Sequence, residues 1–129
     1  MNSLSTQALV KAGILAIALS ACAALDRRPP EEVVKERAQS RWDLLIKGDV
    51  EAAYKYLSPG SRTLTSLESY LKMVPKGFWK SVVVQNATCT ADSCDVGGVM
   101  EYDFQGHRIK TPYKEKWIRE GSNWWFFAG

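Results

Sequence analysis

Residues 79–104 read W-K-S-V-V-V-Q-N-A-T-C-T-A-D-S-C-D-V-G-G-V-M-E-Y-D-F. Apolar and polar residues alternate on both sides of the polar loop Thr90-Ala91-Asp92-Ser93, the period of a β-hairpin. Two further strand-like runs, 109–120 and 123–127, follow the punctuation Gln105-Gly106-His107-Arg108 and Glu120-Gly121-Ser122. The four runs predict an antiparallel meander. In its first hairpin Cys89 faces Cys94, which sets Ala87 against Val96, Gln85 against Gly98 and Val83 against Met100. Val83, Ala87, Val96, Met100, Tyr102 and Phe104 then form the more apolar face, where helices should pack. Pro112 demotes its part of the third run to an edge or a bulge, because proline has no N–H for a ladder.

Upstream the period is helical. Val34, Ala38, Trp42 and Leu45 share one face of a helix over 31–47, stopped by Gly48. Asp49 caps a second helix carrying Val50, Ala53, Tyr54 and Leu57, ended by Ser58-Pro59-Gly60. Thr65 with Glu68 makes a capping box for a third, with Leu67, Tyr70, Leu71 and Val74 inward and Pro75 as the stop. Helices first and a meander second define an α+β fold with no βαβ unit.

Gly48-Asp49-Val50-Glu51-Ala52-Ala53-Tyr54-Lys55-Tyr56-Leu57-Ser58-Pro59 resembles the G-D-x-x-x-A-Y-x-x-L helix pair of NTF2-like domains, the nuclear transport factor 2 superfamily. Glu115 to Trp124 resembles their closing W-x-x-x-x-G-x-W hairpin. The resemblance spans 31–127 and implies N-terminal helices packed on a curved antiparallel sheet, a cone with a cavity at its wide end. Residues 31–129 are expected to form this single NTF2-like domain. Such a fold hosts isomerases, dehydratases, ligand binders and interaction modules, so function must come from the site.

The first 21 residues contain no acid and one cation, Lys11, before the run 12–21, A-G-I-L-A-I-A-L-S-A. As a helix that run spans about 15 Å, half of a bilayer core, which suits a signal peptide better than a membrane span. It closes on Leu19-Ser20-Ala21-Cys22, which resembles the lipobox of bacterial lipoproteins. The resemblance implies a signal peptide over 1–21, cleavage before Cys22, and diacylglyceryl attachment to its thiol. Residues 22–30 then form the lipidated N-terminus and a short tether. Ala23, and not Asp, after the cysteine implies the outer membrane, facing the periplasm. Residues 23–30 reach at most about 26 to 29 Å, holding the domain close to its own membrane.

Lipidation leaves Cys89 and Cys94 as a pair, whose placement across a hairpin in an oxidising compartment predicts a disulfide. A metal site recruiting His107 would have only three ligands at unsuitable spacing, so no metal or other cofactor is expected.

The chain has 129 residues, 46% of them hydrophobic and 24% charged, a globular balance. Its 17 Lys and Arg against 14 Asp and Glu exclude the strongly basic face that nucleic acid requires. No G-x-S-x-G, H-E-x-x-H or glycine-rich phosphate loop occurs. The expectation is therefore a membrane-anchored, non-catalytic binding or interaction module of the cell envelope. Its partner would be an envelope protein, a small apolar ligand or a second copy of the chain. Trp42, Asp43, Tyr54, Tyr102, Trp117, Trp124 and Trp125 are the expected cavity or interaction surface, since adjacent Trp124 and Trp125 must face opposite ways. Two alternatives stand beside it: a cavity enzyme of the isomerase or dehydratase type, with Asp43 ahead of His107 as its base, and a structural subunit of an envelope assembly.

Overall fold

The computed structural model describes residues 27–129. The apolar run, the lipobox and Cys22 lie outside the described residues. Among the described residues no helix is long and apolar enough to cross a membrane.

The order is α1 (Pro30–Lys47), α2 (Val50–Tyr54), α3 (Pro59–Leu64), α4 (Leu67–Met73), β1 (Trp79–Cys89), β2 (Ser93–Phe104), β3 (His107–Glu120) and β4 (Asn123–Phe126). The strands form one antiparallel sheet in sequence order, with the helices packed against it, the α+β architecture expected. Pro30 starts α1 with its φ preset for a helix, and Gly48 stops it at φ 90°, a left-handed conformation natural to glycine. Asp49 caps α2 by accepting from the Ala52 N–H. Ser58-Pro59-Gly60 does more than end the second helix as expected. Ser58 is an N-cap and Pro59 the first residue of α3, so the proline opens a new helix. The cap of α4 also moves by one residue: Ser66 accepts from Ser69 N–H, while Thr65 closes α3.

The hairpin register agrees with the sequence only near its disulfide. Cys89 faces Cys94 and Ala87 faces Val96, and the Cys89–Cys94 bond is present. Between Val84 and Asn86 a bulge takes up Gln85, so Val84 faces Gly98 and Val82 faces Met100. One extra residue exchanges the two faces of everything before it. Val82 is therefore buried and Val83 is 53% exposed, the reverse of the expected placement. Phe104, also expected on the helix-covered face, is 55% exposed at the hairpin tip. Pro112 lies opposite Val99, on a part of β3 that β4 does not reach, so its missing N–H breaks no ladder there.

The β2–β3 turn is Gln105-Gly106, both at positive φ, the type I′ geometry that matches strand twist. The outer edge of β1 is capped from the helix layer. The Gln39 side chain donates to Val82 O and accepts from Val84 N–H, each at 2.9 Å, occupying groups another strand could otherwise claim. The core has two halves. Val33, Val34 and Ala38 of α1 pack on Cys94, Val96, Trp117 and Trp124. Further along, Trp42 and Leu45 pack with Val50, Ala53, Leu57, Tyr70 and Val82.

Candidate functional site

The inward face of β3 presents Tyr113, Glu115 and Trp117 in succession, because alternate residues of a strand share a face. Opposite them α1 presents Arg41 and Trp42, one turn beyond Ala38. Between these elements lies a buried ion pair: Arg41 Nη1 stands 3.6 Å from Glu115 Oε2, with each side chain 6% exposed. Both indoles donate to the same carboxylate, Trp42 Nε1 at 3.1 Å to Oε2 and Trp117 Nε1 at 2.9 Å to Oε1.

The guanidinium is held as tightly as the acid. Arg41 Nη2 donates to Tyr70 Oη at 3.2 Å, and its central carbon lies 3.6 Å from the centroid of the Phe126 ring, a close cation–π contact. Nε and Nη1 of Arg41 and the Tyr113 hydroxyl are buried without a hydrogen-bond partner. Tyr113 is placed by Gly98, directly across the ladder. A Cβ at Gly98 would lie 2.8 Å from Tyr113 Cε1 and 2.1 Å from Val83 O, so only glycine leaves room for ring and backbone. The Tyr113 ring meets Trp42 edge to face at 5.5 Å, and Trp42 meets Trp79 likewise at 5.2 Å.

Burial dominates the electrostatics. It raises the Glu115 carboxyl above its ordinary range, while Arg41 and the two indole N–H groups oppose the rise. The Tyr113 phenol is raised too, first by burial and then by the neighbouring Glu115 charge. The Glu115 carboxylate thus accepts from two indoles and stands 3.6 Å from Arg41, whose Nε and Nη1, like the Tyr113 hydroxyl, keep unused donor capacity in the core.

Two surface depressions flank this cluster. A cleft of about 420 Å³ at the start of α1 is lined by Arg28, Glu36, Arg37, Arg119, Asn123 and Trp124 among others. A groove of about 700 Å³ on the opposite face of the sheet is lined by Asn86, Thr88, Asp95, Gly97, Lys114 and Lys116, and Val96 and Glu115 also border it. Lys116 and Asp95 pair there at 3.2 Å.

The residues singled out from sequence are dispersed. Trp42 belongs to the buried cluster. Asp43, one residue further round α1, is exposed and accepts from Gln39 at 3.0 Å. Tyr54 stacks obliquely on Tyr70 and donates to Thr65 O at 2.7 Å, a bond that ties α2 to the end of α3. Tyr102 stacks on Phe78 at 4.9 Å. Trp117 and Trp124 are core residues, fully buried and 6% exposed. Trp125 is half-buried, with the guanidiniums of Arg37 and Arg62 each 5.5 Å from its ring, so the Trp124-Trp125 pair is largely covered by the protein's own side chains. His107 is exposed beside the β2–β3 turn. No group of three or more His, Cys, Asp or Glu able to hold a metal occurs among the described residues.

Sequence reasoning missed Arg41 and Glu115. The signals were present: Arg41 falls at i+3 from Ala38 and i+7 from Val34 on the apolar face of α1, and Glu115 is the one acid within the inward series Tyr113, Glu115, Trp117. A charge at each of two facing core positions implies a pair.

No family model matches the chain, and no curated protein does. Solved structures do. A solution structure of a SEC-C motif-containing protein from Rhodopseudomonas palustris aligns with a TM-score of 0.57 at 12% identity, covering 71% of this chain and 73% of that one. The crystal structure of a Campylobacter jejuni protein described as an NTF2-like transpeptidase aligns with a TM-score of 0.54 at 12% identity, covering 74% of this chain and 98% of that one. Together with the helices on an open antiparallel sheet, this likeness defines an NTF2-like α+β fold.

Proposed function

We propose that the protein is a lipid-anchored, non-catalytic binding or interaction module of the bacterial cell envelope, attached through Cys22 and facing the periplasm from the outer membrane. The observation that carries the non-catalytic part is the commitment of Glu115. An isomerase or dehydratase in this fold needs a base free to take a proton. The one buried acid among the described residues is instead engaged by Arg41, Trp42 and Trp117. The surface offered to a partner is the aromatic end formed by Phe78, Tyr102 and Phe104, with Met73 nearby in sequence on α4. Phe78, Phe104 and Met73 are 36%, 55% and 69% exposed. Trp79, next to Phe78, packs on Trp42 in the C-terminal half of α1, whereas the tether enters at its N-terminal end beside Trp124. Trp42 lies 12 residues beyond Pro30, about 18 Å along the helix, so an anchored domain presents its aromatic end away from its membrane.

Intact mass of the protein extracted from its own membranes tests the anchor: a chain beginning at Cys22 and carrying lipid is expected, and an unprocessed or unlipidated mass refutes it. In-cell photocrosslinking from position 104 tests the module: one envelope protein or a second copy of the chain is expected. A small molecule retained in the native mass spectrum and turned over by the protein, with loss of turnover in E115Q, would establish the cavity-enzyme alternative.

A further inference from the structure

We propose that the cleft at the start of α1 binds an anionic phosphate group, held by the guanidiniums of Arg37 and Arg119. Arg37 Nε donates to Trp124 O at 2.9 Å, and the guanidinium lies 4.9 Å from the Tyr56 ring centroid and 5.5 Å from that of Trp125. These contacts fix its direction and leave its terminal nitrogens without an acid. Arg119 projects from the inward face of β3 beyond the end of the core and is exposed.

The acids nearby are spoken for. Glu36 pairs with Arg28, and Glu32 also lies within ion-pair distance of Arg28. The Glu120 carboxylate lies beside Gly60, where a glycine Cβ would be 3.6 Å from Oε1. Among the described residues no carboxylate stands within ion-pair distance of Arg37 or Arg119. A partly buried cation without a counter-charge is unfavourable, consistent with the lowering of the Arg37 pKa by burial. An anion in the cleft removes that penalty. Two planar forks suit the tetrahedral oxygens of a phosphate better than a single carboxylate. Asn123 and Ser122 line the same space with further polar groups, and Trp124 supplies an apolar wall.

Arg28 and Pro30 are in the lining, so the cleft sits where the tether joins the domain. Whether the phosphate belongs to a lipid headgroup rests on the anchoring proposed above; the phosphate chemistry does not.

The test uses the full chain carrying Cys22→Ser in dodecyl maltoside, so that no covalent lipid contributes. Inorganic phosphate and dioctanoyl phosphatidylglycerol are titrated separately, following the indole N–H resonance of Trp124. Saturable shifts are expected, weakened roughly tenfold or more in R119Q, the loss of one charge-assisted contact. K114Q, on the opposite face of the sheet, should bind as the parent does. Saturation by both ligands or by inorganic phosphate alone supports a phosphate site open to soluble phosphate. Saturation by the lipid alone supports a headgroup site. No saturation by either, or equal binding by R119Q, overturns the proposal. Because Arg119 is exposed, R119Q leaves the core intact, and unchanged amide spectra confirm its fold. The intact mass of the native protein decides the anchor separately.

Discussion

Removing the charge of Glu115 strands Arg41 in the core. Both side chains are 6% exposed, so neither ion can recover its hydration when the other is lost. Breaking a buried pair by deleting one partner costs about 3–5 kcal/mol. E115Q retains an oxygen for one of the two indoles and should fall near the lower figure, about 3 kcal/mol. R41M strands the acid and loses the contacts to Tyr70 and Phe126, and should cost about as much. If the two act as a unit, R41M/E115Q suffers the loss once, leaving a coupling energy of about 3 kcal/mol. For a domain of this size each single variant should melt roughly 12–24 °C below the parent. Urea unfolding of the four proteins measures the cycle. Additivity within about 0.5 kcal/mol would mean that Arg41 and Glu115 do not sense each other, and the account of the core would be wrong. The same carboxyl sets a pH dependence. Its folded-state value lies above the ordinary 4.5, so the folded chain holds the proton more tightly than the unfolded chain does. This contribution is greatest below about pH 4.5, declines as pH rises through the raised value, and is level above it. E115Q should remove that decline from the stability-against-pH curve; an unchanged curve would show that another group causes it.

Three further perturbations probe the sheet. Gln39→Ala uncovers Val82 O and Val84 N–H, and should cost about 1–3 kcal/mol while promoting self-association through the β1 edge, read by thermal melting and sedimentation velocity. Gly98→Ala drives a Cβ to 2.1 Å from Val83 O, a backbone atom, and should abolish soluble expression, whereas Gly97→Ala meets only the movable Asn86 side chain at 2.9 Å and should fold. Reduction of Cys89–Cys94 opens a loop of sequence separation 5 and should lower stability by about 2 kcal/mol, measured by denaturation with and without reductant.

The helix-then-meander order, the α1 boundaries and the disulfide register were legible because each depends on local chemistry: a period, a cap, a pair of thiols across a short turn. The sheet faces before Asn86 were not. Gln85 carries no mark distinguishing a bulged residue from a paired one, and one inserted residue reversed Val82 and Val83. Ser58-Pro59 is ambiguous for a similar reason, since proline both ends a helix and begins one. The Arg41–Glu115 pair was hidden by the habit of assigning charges to solvent. Its two halves lie 74 positions apart in the chain, and each becomes meaningful only beside the other.

The split core also governs when the protein can form. The first turns of α1 rest on Trp117 and Trp124, and the bridge from Leu57 runs to Phe126. These contacts, unlike those of Trp42 and Leu45 with α2, wait for residues made far later, and such non-local pairing slows folding. A chain threaded through a membrane from its N-terminus would carry the first turns of α1 across without Trp117 and Trp124 until β3 and β4 had followed. During that interval the incompletely covered stripe of Val33, Val34 and Ala38 would be a binding target for a chaperone.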